Sequence, residues 1–197
     1  EMLKPIEGLL KQFPDDVNLQ LTRLSCLRDL VPRDDRLKQI RAACAKKASD
    51  PLLWRELALE LSRDGREHVP ALRWLDRVLR FRPVDPIAVS IRADIEWAQG
   101  RFEEACELYR FAACLDDKNE SYAVAWFNAA RWLKQTAEVM GFLTRRFHTA
   151  GRRSSLPSRT LVWAHLQLDQ TASAFSVLEQ ALDMRPEDGP LKLFAAE

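Results

Sequence analysis

Glycine is scarce in this chain of 197 residues, with six against ten prolines and 47% hydrophobic residues. That balance excludes collagen, low-complexity sequence and disorder. An excess of one charge sign is also lacking. Thirty Lys and Arg offset 29 Asp and Glu to a formal +1, so no global field draws the chain to nucleic acid or to an anionic membrane. No apolar run approaches the roughly 18 residues a membrane span needs. No signal peptide is visible, and the opening Glu1-Met2-Leu3 reads as the edge of a piece cut from a longer protein, which would remove such a leader with the rest.

The four cysteines show no metal spacing. Cys106 and Cys114 are eight residues apart, which on one helix is about 12 Å along the axis and beyond disulfide reach. Cys26 and Cys44 fall on different expected helices, and a pairing between them stays open. The expectation is four reduced, mostly buried thiols and a cytoplasmic location. His68, His148 and His165 stand in separate segments with no Cys or acid at ligand spacing, and the glycines are scattered rather than gathered into a phosphate loop. The expectation is therefore no catalytic residue, no metal, no cofactor and no enzyme activity within this segment. His165 is expected at a core position, and the acid pairs Glu103-Glu104 and Asp116-Asp117 at helix ends.

What the sequence does contain is a period. Residues 86–119 hold one helical stretch from Ile87 to Ala98, a break at Gln99-Gly100, and a second from Arg101 to about Leu115. Two helices of three turns with so short a connection must lie antiparallel. Small residues sit where they would cross, Ala93 in the first and Ala105 and Ala112 in the second, while Phe102, Leu108 and Tyr109 supply bulk.

In this order of small, turn, aromatic, small, aromatic, small, the window resembles the tetratricopeptide repeat, TPR. Ala93, Gly100, Phe102, Ala105, Tyr109 and Ala112 match the motif, and Asp117 stands where it often has proline. Residues 51–85 repeat it with Trp54, Leu57, Ala58, Leu61, a turn at Gly65 and Pro83 in the proline place, with one extra residue near His68-Val69. Residues 17–50 are a weaker copy with Leu24, Leu27, Ile40 and Ala43, but Arg36 replaces the small residue. Residues 1–16 read as half a repeat with Met2, Ile6, Leu9 and Pro14 in phase. Residues 155–188 carry Ala174, Leu178, Ala181 and Pro186, with a glycine-free turn at Asp169-Gln170. The intervening 120–154 are irregular, with Trp126, Ala129, Ala130, Leu133, Phe142 and Phe147, and Gly141 suggests a bent or shortened second helix. Residues 189–197 begin a further helix.

The resemblance implies an all-α fold, an α-solenoid of stacked antiparallel helix pairs forming a right-handed superhelix over 1–197. Another α-solenoid, such as a half-a-TPR array, is the alternative. Neither end has a polar outer face, so the expectation is a segment of a longer protein, able to self-associate through uncapped ends. In such arrays first helices line the concave side. The lining then takes Asn18, Leu21, Ser25 and Arg28; Arg55, Leu59, Ser62 and Arg63; Ser90, Asp94 and Trp97; Phe127, Arg131 and Lys134; and Arg159, Trp163 and Leu166. Arg55, Leu59, Trp97, Arg131, Lys134, Arg159 and Trp163 are the candidate partner-binding residues, because Trp and Arg dominate binding hot spots. Arg131, Arg159 and Trp163 falling together would suit an acidic or carboxylate-terminated peptide.

Three functions follow as expectations: a scaffold binding a protein or peptide, a regulatory or substrate-presenting arm of an enzyme whose catalytic domain lies elsewhere, and, least favoured, RNA binding through Arg145, Arg146, His148, Arg152, Arg153 and Arg159. Capture of chaperone carboxylate tails is disfavoured, since Arg55 with Leu59 and Ser90 with Asp94 stand where Lys with Asn would be needed.

Overall fold

The computed structural model describes residues 3–28 and 30–197; the expectation for Met2 lies outside the described residues. Every described element is helical. The chain divides into two compact units, 1–99 and 100–197.

The first unit runs α1 (Leu3–Gln12), α2 (Val17–Cys26), α3 (Arg33–Lys46), α4 (Pro51–Ser62), α5 (His68–Phe81) and α6 (Pro86–Ala98). Its centre is α4, which packs against α2, α3, α5 and α6. That position explains why α4 is so apolar, with Leu53, Trp54, Leu57, Ala58 and Leu61 all buried. Trp54 withdraws on the order of 200 Å² from water, an upper bound near 5 kcal/mol of hydrophobic stabilisation. Its indole N–H donates to the Ala48 carbonyl at 3.1 Å, so the polar handle is satisfied. The extra residue near His68 is absorbed by a 3₁₀ turn, Gly65–Glu67, opened by the Asp64 carboxylate accepting from the Arg66 amide.

The second unit runs α7 (Phe102–Leu115), α8 (Glu120–Trp132), α9 (Ala137–Ala150), α10 (Leu156–Leu166), α11 (Thr171–Met184) and α12 (Gly189–Ala196). α10 is its centre and touches α8, α9 and α11, while α7 and α9 flank α8 and α11 meets α12. Alanines at Ala129, Ala130, Ala164, Ala174 and Ala181 are all buried and let the helices approach closely. Gly141 neither ends nor shortens its helix, since α9 is 14 residues long like α3, α5, α7 and α11.

First helices begin at Val17, Pro51, Pro86, Glu120, Leu156 and Gly189, in steps of 33–36 residues. Five of the six open on a short polar cap. Asp16, Asp50, Asp85, Asn119 and Asp188 accept from the amides of Leu19, Leu52, Ala88, Ser121 and Leu191, which satisfies one orphan donor of each helix. Ser155 makes no such bond, and it sits after the longest step, where Gly151 follows α9. A Cβ on Gly151 would lie 2.5 Å from the Phe147 carbonyl oxygen, so only glycine closes this helix without displacement.

Two second-helix positions carry the packing. The fourth residue is Arg36, Ala71, Ala105, Met140 and Ala174 in turn; the eleventh is Ala43, Val78, Ala112, Phe147 and Ala181. The irregular stretch is thus the one in which both positions hold large side chains, and Phe147 is fully buried.

Among the described residues no helix is long and apolar enough to cross a membrane. All four cysteines are free thiols. Cys44 and Cys106 are buried, Cys26 is partly so and Cys114 is exposed, a more mixed set than expected. Burial pushes the Cys44 thiol up to about 11, and its sulfur faces the Leu53 carbonyl at 3.6 Å.

Candidate partner-binding face

In the second unit α8 and α10 run side by side in register. Arg131 on α8 donates from Nη1 to the Gln167 side-chain oxygen at 2.5 Å. One turn earlier on both helices, the Phe127 and Trp163 rings meet edge to face at 5.1 Å. The Arg131 guanidinium lies 5.9 Å from the Phe127 ring, a cation–π distance. One turn earlier again on α10, the Arg159 guanidinium sits 4.9 Å over the ring of Phe194 on α12. The result is a ladder of guanidinium, aromatic pair and guanidinium along neighbouring first helices.

Arg131 and Arg159 do not converge. Gln167, the partner of Arg131, is eight residues after Arg159, so the backbone positions that hold the two cations are about 12 Å apart along the chain direction of α10. Arg131 is held at Gln167 and Arg159 over Phe194, and Trp163 lies on the turn of α10 between Gln167 and Arg159. Phe127, expected on the lining, is fully buried beneath Trp163. Trp163 and Arg159 are half-buried, and Arg131 is exposed.

Lys134 lies one residue past the α8 C-cap, in the turn rather than on the helix face. Its backbone is left-handed with φ 59°, as are Gly100 with φ 78° and Asp169 with φ 56° at the corresponding turns. Gln135 N donates back to the Ala130 carbonyl at 2.8 Å, and Gln170 N to His165 at 3.0 Å, the 6→1 bond of a Schellman turn. His165 is half-buried at this turn, its Nδ1 2.8 Å from the Gln170 side-chain oxygen, rather than packed in the core as expected.

In the first unit Arg55 is engaged by the fold. Its Nη1 donates at 2.8 Å to Asp85, the buried cap of α6, which Arg82 also approaches at 3.4 Å. Leu59 is half-buried against the core. Trp97 is half-buried on α6.

One buried and one part-buried ion pair escape any reading by local spacing. Arg36, in the place of a small residue, donates from Nε at 2.8 Å to Glu60 on α4, and its Nη1 bonds the Arg28 carbonyl at 2.6 Å. Arg146 grips Glu120 through both terminal nitrogens at 3.0 and 2.6 Å, and Thr160 donates to the same carboxylate at 2.6 Å. Arg146 is therefore internal and Arg159 stacks on Phe194, so the six-residue basic cluster expected between Arg145 and Arg159 is not one patch. Burial raises the Glu56 carboxyl above its ordinary value, although Arg28 at 3.8 Å opposes this. The amide of Leu191 and the side chain of Arg185 hold Asp188 below its own. Among the described residues no group of His, Cys, Asp and Glu is arranged to hold a metal.

No family model matches the chain, and no curated protein matches it in sequence. Solved structures do match. A thermophilic TPR protein of Thermus thermophilus is 16% identical with a TM-score of 0.57, over 91% of this chain and 95% of its own. A tetratricopeptide repeat protein of Parabacteroides merdae is 12% identical with a TM-score of 0.60, over 98% and 74%. Yeast Tom70 is 16% identical with a TM-score of 0.69, and this chain, 98% covered, spans 41% of it. At these identities the likeness is one of fold, and the fold is that of the tetratricopeptide-repeat structures, all-α with helices in adjacent antiparallel pairs.

Proposed function

We propose that this chain is a protein-interaction scaffold whose first-helix face in the second unit receives a peptide or protein partner. The supporting observation is the ladder of Arg131, Trp163 and Arg159. Its cations and its tryptophan are held in place by Gln167, Phe127 and Phe194, so little side-chain entropy is lost when a partner docks. Two guanidiniums held from positions about 12 Å apart along α10 suit an acidic segment in an extended conformation, with carboxylates about four residues apart and an apolar side chain between them against Trp163. The fold shared with TPR proteins supports a binding role over a catalytic one.

Affinity capture with the intact chain, followed by titration of the retained partner, tests this. Arg131→Ala and Arg159→Ala should each weaken binding by about 1–3 kcal/mol with helicity unchanged. Unchanged affinity in both variants would refute the assignment.

A further inference from the structure

A second aromatic and basic cluster lies in the first unit, on a second helix. On α5, Pro70, Arg73, Trp74, Arg77 and Phe81 recur at helical spacing on one face, away from the buried stripe of His68, Ala71, Leu75 and Val78. Trp74 is half-buried and Phe81 is 65% exposed. Behind them Trp54 anchors the cluster, 6.3 Å from the Trp74 ring and 5.4 Å, edge to face, from Phe81. The Arg77 guanidinium lies 4.1 Å over the Trp54 ring and 5.6 Å from Trp74. A shallow pocket of about 340 Å³ opens between Pro70, Arg73, Trp74 and Arg77.

The stacking of Arg77 uses the face of its guanidinium and leaves its edge. A planar fork held flat on an aromatic ring is pre-organised to receive a carboxylate on its N–H groups. Among the described residues no carboxylate lies within ion-pair distance of Arg73, Arg77 or Arg80, whereas Asp76 on the same helix is taken by Arg92 at 3.0 Å. Among the described residues this face therefore presents Arg73 and Arg77 without an ion-pair partner, around an apolar floor.

We infer that the α5 face is a second docking surface, for an acidic peptide segment that places one apolar side chain between Pro70 and Trp74 with carboxylates on Arg73 and Arg77. Charge complementarity selects this occupant: a basic or uncharged segment would leave the arginines unmatched. The surface lies on α5, is independent of the α8–α10 ladder, and stands or falls separately from it.

The probe is an acetylated and amidated octapeptide of sequence EDELFDEE, which has no terminal carboxylate, titrated into the full chain while tryptophan emission and amide shifts are followed. The expected result is saturable binding that weakens with added salt, with the largest shifts around Trp74 and Arg77. Arg77→Gln should weaken binding about tenfold or more. Arg73→Gln, which touches no ring and cannot loosen the stack, should weaken it as well. Gln180→Ala, an exposed change on α11 outside both proposed faces, should leave the shifts at Trp74 and Arg77 unchanged. Absence of saturable binding, equal binding of a lysine-substituted control peptide, or undiminished affinity in Arg73→Gln would each overturn the proposal. Shifts confined to residues around Arg131 and Trp163, with none at Trp74 or Arg77, would place the peptide on α8 and α10 and equally overturn it.

Discussion

Arg36 and Glu60 form a buried ion pair between α3 and α4, with the Arg36 side chain 3% and the Glu60 side chain 1% exposed. Arg33 reinforces the same carboxylate at 3.7 Å and bonds the Glu60 carbonyl at 3.1 Å. Ala71, Ala105 and Ala174 hold the equivalent position in other repeats, so a charge occupies a space that those copies give to a methyl group.

Removing one partner of such a pair leaves the other charge buried. Arg36→Ala should cost about 3–5 kcal/mol, and Arg36→Met with Glu60→Leu together should cost far less than the two single changes combined. Urea unfolding of the four proteins measures the coupling, and additive losses would contradict it.

The turn after α8 holds a lysine where glycine is the favoured residue. Lys134→Gly should relieve the left-handed backbone and stabilise the chain by about 1 kcal/mol. Asp169→Gly should gain less, because Asp tolerates this conformation better. Melting temperatures of both variants provide the check.

Gly151 is required for the opposite reason. Its φ is an ordinary −58°, yet an added Cβ meets backbone. Gly151→Ala should destabilise by about 1–3 kcal/mol, and the loss should shrink when Phe147, whose ring is the next nearest neighbour at 3.2 Å, is reduced to leucine in the same chain.

Two carboxylates pull the pH dependence in opposite directions. Asp188 is held below its ordinary value, so its contribution is full above that value and is lost as pH falls through the lowered one. Glu56 is held above its ordinary value, so the stability it contributes while protonated is lost as pH rises through the raised one. Glu56→Gln should therefore flatten the decline on going from about pH 4 toward neutrality, and Asp188→Asn should remove part of the acid-side loss. Denaturant midpoints between about pH 3 and 7 resolve the two.

Helical period, turn glycine and small-residue spacing make the fold class legible in the sequence, because each is a local property repeated along the chain. The recurring caps Asp16, Asp50, Asp85, Asn119 and Asp188 are equally legible, and they mark helix starts more sharply than the prolines that precede three of them. Partners distant in sequence are not legible. Nothing near Arg36 points to Glu60, and nothing near Arg146 points to Glu120. For the candidate face, the helical wheel places Arg131 and Trp163 on first helices but cannot show that Phe127 is sealed beneath Trp163. Nor does it show that Arg55 is bound to Asp85, or that Arg131 is held at Gln167 while Arg159 is held over Phe194.

The partner-binding face is tested most directly by site-specific photocrosslinking in the intact chain with its captured partner. A photoreactive side chain replaces Arg131 or Arg159 in turn, and Gln180, exposed on α11, as the reference. Crosslinks from positions 131 and 159 with none from 180 are the expected result; crosslinks from 180 alone would contradict the assignment.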